Sequence, residues 1–165
     1  MEPKFIADNM LGRLATWLRI LGYDTLYFRN IEDDNLIKLA LNENRIILTR
    51  DTRLIKRKLV KNFILMQNDL WREQIKELAG KGKIQLDFTS RIFSRCLICN
   101  ETLLSIEKEK VKGKVPDYVY ETQSDFSSCP KCQRMFWQGT HIAEIRKFLQ
   151  AVSPLLINLQ KTPGQ

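Results

Sequence analysis

The chain is short of several residues on which common enzyme chemistries depend. It has one histidine and 7 glycines among 165 residues. With a single histidine, cleavage of RNA by two histidines of one chain without a metal is excluded. The nucleotide-binding patterns G-x-x-x-x-G-K-[ST] and G-x-G-x-x-G are missing, as is the G-x-S-x-G nucleophile elbow. Nucleotide-cradling glycine loops and serine hydrolase chemistry are therefore not expected.

Long apolar runs are also missing. The longest, such as Phe63–Met66, are far too short to cross a bilayer. The first residues, Met-Glu-Pro-Lys-Phe-Ile-Ala-Asp, lack the basic and apolar regions of a secretory signal. We therefore expect a cytoplasmic protein with no membrane partner.

The charge balance is basic. The chain carries 27 Lys and Arg against 19 Asp and Glu, a net charge of +8 with a pI near 9.4. Such a balance favours polyanionic partners, among which nucleic acid comes first. Net charge alone is weak evidence, since a generic basic protein has the same balance.

All four cysteines lie in two C-x-x-C pairs, which can hold one tetrahedral ion. The pairs are Cys96/Cys99 and Cys129/Cys132. Two such knuckles brought together complete a four-thiolate zinc site. Two disulfides would suit a secreted scaffold instead, and a redox role for Cys129/Cys132 is a further alternative. We predict structural zinc.

Strand and helix signals alternate in the first half of the chain. Apolar periodicity predicts strands at 4–7, 25–28, 45–49 and 62–66, and helices at 10–21, from 33 or 34, 52–60 and 70–78. Ile55 and Leu59 are expected to face inward on the 52–60 helix. This alternation predicts an α/β domain with a parallel sheet flanked by helices, over residues 1–88.

A second unit is predicted over residues 91–140, which hold both cysteine pairs. Strands at 103–106 and 118–120 around a turn at 108–116 would make a small zinc ribbon. Residues 141–152 are expected to form a closing helix, and residues 153–165 a flexible tail. His141 is assigned to packing or capping beside the ribbon, with RNA contact as the second interpretation. The three tryptophans are assigned to the core.

Four aspartates are predicted to gather where parallel strands end. Asp8 and Asp51 follow the first and third strands, and Asp33 and Asp34 open the second helix. Ligands bind beyond the carboxyl ends of such strands. Converging carboxylates repel one another unless a cation neutralises them, and hard oxygen ligands suit Mg²⁺ or Mn²⁺. Each aspartate has a plainer interpretation as a helix cap.

Basic side chains flank these aspartates. Arg13 lies about one turn beyond Asp8, and further cations follow the third strand. They are candidates for binding RNA phosphates, although a solvated helix face explains Lys58 and Lys61 equally well. The arginines predicted to bind substrate are Arg13, Arg50, Arg53 and Arg57.

Long motifs of this chain resemble the Mut-seven C-terminal ribonuclease family. They are FIADNMLGRLATWLRILGYD at residues 5–24, DDNL at 33–36, ILTRD at 47–51, the two cysteine knuckles, and FWQGTH at 136–141. The resemblance covers about residues 4–150. It implies a PIN-like fold with a zinc ribbon, and a metal-dependent ribonuclease with Asp8, Asp34 (or Asp33) and Asp51 as Mg²⁺ or Mn²⁺ ligands.

An endoribonuclease acting on RNA is therefore the first hypothesis. The second is a non-catalytic module that binds RNA or a ribosomal surface through the ribbon and the basic segment, with the aspartates acting only as caps.

Overall fold

A computed structural model describes residues 2–80, 91–137, 139, 144, 145, 147–149 and 151 of the chain. The predicted strand–helix alternation of the first half is confirmed. Its elements are β1 (Phe5–Ala7), α1 (Gly12–Ile20), β2 (Thr25–Tyr27), α2 (Asp33–Asn42), β3 (Ile46–Thr49), β4 (Phe63–Leu65) and α3 (Trp71–Gly80).

The four strands form one parallel sheet in the order β2-β1-β3-β4. Side chains alternate across β1, so that Phe5 and Ala7 face α1 and α3 while Ile6 faces α2. Helices on both faces bury these short apolar strands. The α/β class with a parallel sheet is therefore confirmed.

The core on the α1 face is closed by aromatic side chains. Trp17 stacks on Trp71 with 4.0 Å between ring centroids, and Phe148 meets both rings edge to face. The described residues between 144 and 151 are helical, and Ile145 and Leu149 also pack on this core. Trp17 and Trp71 are half-buried against this core, which agrees with their assignment to the core or its border.

The prediction of a basic helix over residues 52–60 is wrong. Only a 3-10 turn forms there, at Leu54–Lys56. Leu54 and Val60 are buried, whereas Leu59 is exposed. Residues six apart lie about 120° apart around a helix, so one narrow apolar face would not bury both anchors. Four cations among these nine residues add like-charge repulsion.

The second unit has a three-stranded antiparallel sheet. It comprises β5 (Leu104–Ile106), α4 (Asp117–Thr122), β6 (Phe126–Ser128) and β7 (Met135–Trp137), with strand order β5-β6-β7. The core beneath it is small, with Val111, Val115, Val119 and Phe126 at its centre.

The prediction of a strand at 118–120 is wrong, because those residues belong to α4. Pro116 caps this helix and Asp117 lies in its first turn, a typical helix start. Val119 is buried while Tyr118 is exposed. The buried valines lie four residues apart, at 111, 115 and 119. This spacing differs from the alternation of buried and exposed residues expected of a strand.

Two predictions lie outside the described residues. They are the role of His141 and the flexible tail at residues 153–165.

Candidate functional site

Asp8 and Asp51 are joined through the hydroxyl of Thr49 at the carboxyl edge of the sheet. The Thr49 hydroxyl donates to Asp8 Oδ2 at 2.6 Å, and the backbone N–H of Asp51 donates to that hydroxyl at 2.9 Å. Thr49 is fully buried and Asp8 nearly so. The end of β3 thus holds the carboxylate that follows β1 in a fixed place.

Each of these two aspartates also organises its own turn. Asp8 caps a 3-10 turn at Asn9–Leu11, and its Oδ1 accepts the N–H of Asn9 at 2.6 Å. Asp51 Oδ1 accepts the N–H of Arg53 at 2.7 Å. This backbone hydrogen bond, together with one from Leu54, lowers the pKa of Asp51. These hydrogen bonds stabilise the carboxylate form of Asp51.

Asp33 and Asp34 lie at the same edge, in the first turn of α2. Their charge is balanced by Arg57, whose Nη2 donates to Asp34 and whose Nη1 lies 3.9 Å from Asp33. A second pair joins Arg50 to Asp69, which follows β4. We call Asp8, Asp33, Asp34, Asp51 and Asp69 the acidic edge.

The predicted set Asp8, Asp34 and Asp51 is only partly gathered. Asp8 and Asp51 share Thr49, while Asp34 pairs with Arg57. Among the described residues, the four cysteines are the single group of three or more metal-binding side chains with ligand atoms within 4.8 Å. The carboxylates at this end of the sheet therefore form two sub-groups. Asp8 and Asp51 meet at Thr49, whereas the outer carboxylates are paired with guanidinium groups.

The arginines predicted to bind substrate differ in their surroundings. Arg50 and Arg57 are engaged by aspartates of the acidic edge. Arg13 is exposed in the first turn of α1. Arg53 is almost fully exposed and lies 3.6 Å from Asp51. Arg13 is therefore the most available for an incoming phosphate, and Arg53 is exposed but paired with Asp51.

Sequence reasoning missed three residues at this edge. Thr49 gives no signal, because its role depends on a hydrogen bond across the sheet. Asp69 follows the fourth strand, so the end-of-strand rule that identified Asp8 would also have found it. Tyr27 ends β2, and its hydroxyl donates to the carbonyl of Asn9 at 3.0 Å.

The four cysteine sulfurs meet in one cluster. All lie within 4.8 Å of one another, and the distances Cys96–Cys132 and Cys99–Cys129 are 3.6 and 3.2 Å. A Zn–S bond of about 2.3 Å in a tetrahedron places sulfurs about 3.8 Å apart. The thiols are free rather than paired in disulfides. This donor set and spacing fit one zinc ion.

Both knuckles use the same backbone turn. The N–H of Asn100 donates to the carbonyl of Cys96, and the N–H of Gln133 donates to that of Cys129. Asn100 and Gln133 each have a positive φ, 68° and 58°. Burial and neighbouring thiols raise the pKa of Cys99 to about 12, whereas backbone N–H groups outweigh burial at Cys129 and lower its pKa to about 7. A bound cation would favour the thiolate at every position.

A family model for the Mut7-C RNAse domain matches residues 3–149. The chain belongs to this family. The match includes the acidic edge and all four cysteines, and it identifies a nuclease-type enzyme. No curated protein and no solved structure matches the chain significantly. In the described part of this Mut7-C chain, no helix is long and apolar enough to span a membrane.

In this Mut7-C domain, the first cysteine knuckle is hydrogen-bonded to the parallel sheet at the amino ends of its strands, opposite the acidic edge. Arg19, near the end of α1, donates to the carbonyls of Leu97 and Ile98 at 2.9 and 3.0 Å. The Asn100 side chain accepts the N–H of Thr25 and donates to Asp24, at 2.9 and 2.7 Å. The cysteine centre thus supports the sheet from the edge remote from Asp8 and Asp51.

Proposed function

We propose that this chain is a metal-dependent ribonuclease that hydrolyses RNA phosphodiester bonds at the acidic edge. Asp8 and Asp51, with Asp34 or Asp33, would hold Mg²⁺ or Mn²⁺, and the four cysteines would hold a structural zinc ion. The observation that carries the proposal is the buried Thr49 bridge between Asp8 and Asp51, at the sheet end where ligands of parallel sheets bind.

The residues of the edge fit such a cation. Carboxylate oxygens are the hard ligands that Mg²⁺ and Mn²⁺ prefer. Asp34 is paired with Arg57, so a metal ion at this carboxylate would replace the guanidinium as its counter-charge. When bound, the metal would supply an activated water and neutralise charge on the phosphodiester.

The chain's own residues would position the reacting groups. Thr49 fixes the Asp8 carboxylate, and the backbone N–H of Arg53 holds the Asp51 carboxylate. Arg13 and Arg53 are exposed and would bind phosphates on either side of the scissile bond. In the hydrolysis, the water oxygen bonds to phosphorus while a bridging P–O bond breaks and its oxygen takes up a proton.

Cleavage within an RNA strand is the proposed mode. The outer carboxylates are open to solvent, with Asp34 and Asp69 exposed, so an internal stretch of RNA can approach. Cleavage of a circular RNA would support this mode, and activity restricted to RNA with free ends would contradict it.

The test of the proposed function is cleavage of a labelled single-stranded RNA by zinc-loaded protein. We expect activity that requires added Mn²⁺ and falls at least about 100-fold in Asp8→Asn and Asp51→Asn. Omitting Mn²⁺ is preferable to adding EDTA, because EDTA would also compete for the cysteine-bound ion. Asp117→Asn, at the remote helix α4, is the matched control and should retain activity.

A second candidate function is a non-catalytic RNA- or ribosome-binding module. It is favoured by the observation that Asp8, Asp34 and Asp51 all have protein partners as caps or ion pairs. Under this alternative, wild-type protein would bind RNA without cleaving it, and Asp8→Asn and Asp51→Asn would leave its RNA affinity unchanged.

A further inference from the structure

Two large apolar side chains are exposed beside Asp8. Met10 lies in the turn that follows Asp8 and is 50% exposed, and Phe28 follows β2 and is 43% exposed. Ala7 pairs with Tyr27 in the last pair of the parallel register, so Asp8 and Phe28 are the first residues after two neighbouring strands. Adjacent strands lie about 4.8 Å apart, so the backbone of this aromatic residue leaves the sheet close to that of a candidate metal ligand.

The backbone around Phe28 is held in place. The preceding residue, Tyr27, packs on the α1 core and donates its hydroxyl to the carbonyl of Asn9. Among the described residues, Phe28 belongs to neither core cluster of the parallel sheet. Its position is therefore fixed by its neighbour, while its own ring remains available to a ligand.

The charge around this surface is complementary to RNA. Arg29 follows Phe28, and Arg13 is the second residue of α1. Both side chains are exposed. Neither forms an ion pair with a described residue. An apolar ring flanked by guanidinium groups, beside carboxylates, can take the base and the phosphates of one nucleotide.

We propose that Phe28 stacks on an unpaired nucleobase next to the scissile phosphate and so determines which RNA is cut. This inference rests on the proposed function and adds a specificity-determining residue to it. In a duplex the bases already stack on one another and their faces are covered. Phe28 therefore selects unpaired RNA.

The experiment measures the affinity of zinc-loaded full-length protein for a fluorescent single-stranded RNA without Mn²⁺, by anisotropy. Phe28→Ala should weaken binding about tenfold, and Phe28→Trp should restore it, because stacking needs an aromatic ring but no particular base. Leu41→Ala is the matched control. Leu41 is similarly exposed but lies near the far end of α2, and its replacement should change nothing.

A series of RNAs with one abasic position each identifies the contact. Wild-type affinity should drop at one position in the series, and Phe28→Ala should be insensitive to that same position. With Mn²⁺ present, Phe28→Ala should raise KM more than it lowers kcat. Unchanged affinity of Phe28→Ala for every RNA would overturn the inference, and altered sedimentation of that variant would then indicate a protein-docking surface.

The outcomes separate this inference from the proposed function. If wild-type protein cleaves RNA and Phe28→Ala behaves identically, stacking is wrong and the ribonuclease proposal stands. If nothing is cleaved but affinity falls in Phe28→Ala and returns in Phe28→Trp, the stacking role stands and the ribonuclease proposal fails. If wild-type protein neither cleaves nor binds RNA, both are overturned.

Discussion

Thr49 is the residue on which the geometry of the acidic edge depends most. Its hydroxyl is both donor to Asp8 and acceptor from the Asp51 N–H, in a fully buried position. We predict that Thr49→Val, which keeps the shape and removes the hydroxyl, lowers the free energy of unfolding by about 1–3 kcal/mol. RNA cleavage should fall with it, because both aspartates lose their common support.

Thr25→Val provides the matched comparison for this prediction. Thr25 is also fully buried, but at the opposite edge, where its hydroxyl donates to the carbonyl of Tyr23. This variant should lose stability and keep its cleavage rate at a temperature where it is folded. Wild-type cleavage by Thr49→Val would contradict the bridging role.

Asp24 contributes to the free energy of unfolding in a way that changes with pH in the acid range. Burial raises the pKa of Asp24, but hydrogen bonds from Arg45 and Asn100, with the charges of Arg45 and Arg95, outweigh it, and the pKa is lowered overall. A depressed folded-state pKa stabilises the fold above the unfolded value, about 3.9, and this contribution is lost as pH falls through the folded value.

We therefore predict that Asp24→Asn is less stable than wild type at neutral pH, and that the difference shrinks as pH falls below about 4. Urea unfolding at a series of pH values checks this. Wild type and variant are compared at each pH, since acid also protonates zinc ligands. The exposed Asp117→Asn should follow the wild-type curve, and parallel curves for Asp24→Asn would refute the assignment.

At the scale of elements, Gly12 allows α1 to begin directly beneath Tyr27. A Cβ at Gly12 would lie 2.7 Å from Cζ and Oη of the Tyr27 ring. Gly12→Ala should therefore displace Tyr27 and cost about 1–3 kcal/mol, a loss that the better helix propensity of alanine offsets by less than about 1 kcal/mol.

A double-mutant cycle isolates this contact. In a Tyr27→Ala background the clash is gone, so the further change Gly12→Ala should be neutral or stabilising in thermal unfolding. Equal costs of Gly12→Ala in both backgrounds would show that the two residues do not interact.

The parallel-sheet elements were predictable because each buries a short apolar strand or one helix face. The structure of segment 52–60 was not predictable from the sequence, because Leu54 and Val60 are buried by a turn that depends on tertiary packing. End-of-strand position placed Asp8 and Asp51 correctly at one edge. The pairing of Asp34 with Arg57 was not predictable, since that same unpredicted turn presents the arginine.

At the scale of the whole molecule, the cysteine centre and the sheet are one hydrogen-bonded structure. Arg19 and Asn100 tie the first knuckle to α1 and β2. The small valine core of the ribbon has little stability of its own. Loss of the ion should therefore destabilise both units.

We predict one zinc ion per chain by elemental analysis. Cys99→Ser should lose the ion, lower the melting temperature of the whole chain, and make residues 91–137 the first site of limited proteolysis. Lys131→Ala, which changes a knuckle residue that is not a ligand, should retain zinc. Zinc-free protein with disulfides and an unchanged melting temperature would contradict a structural zinc centre and favour the redox alternative.

The central claim is that the acidic edge binds a divalent cation, and Mn²⁺ binding measured by electron paramagnetic resonance on zinc-loaded protein tests it most directly. We predict that wild type binds Mn²⁺, that Asp8→Asn and Asp51→Asn weaken the affinity at least about tenfold, and that Asp117→Asn does not. Mn²⁺ affinity that is absent in wild type, or unchanged in Asp8→Asn and Asp51→Asn, would contradict the claim.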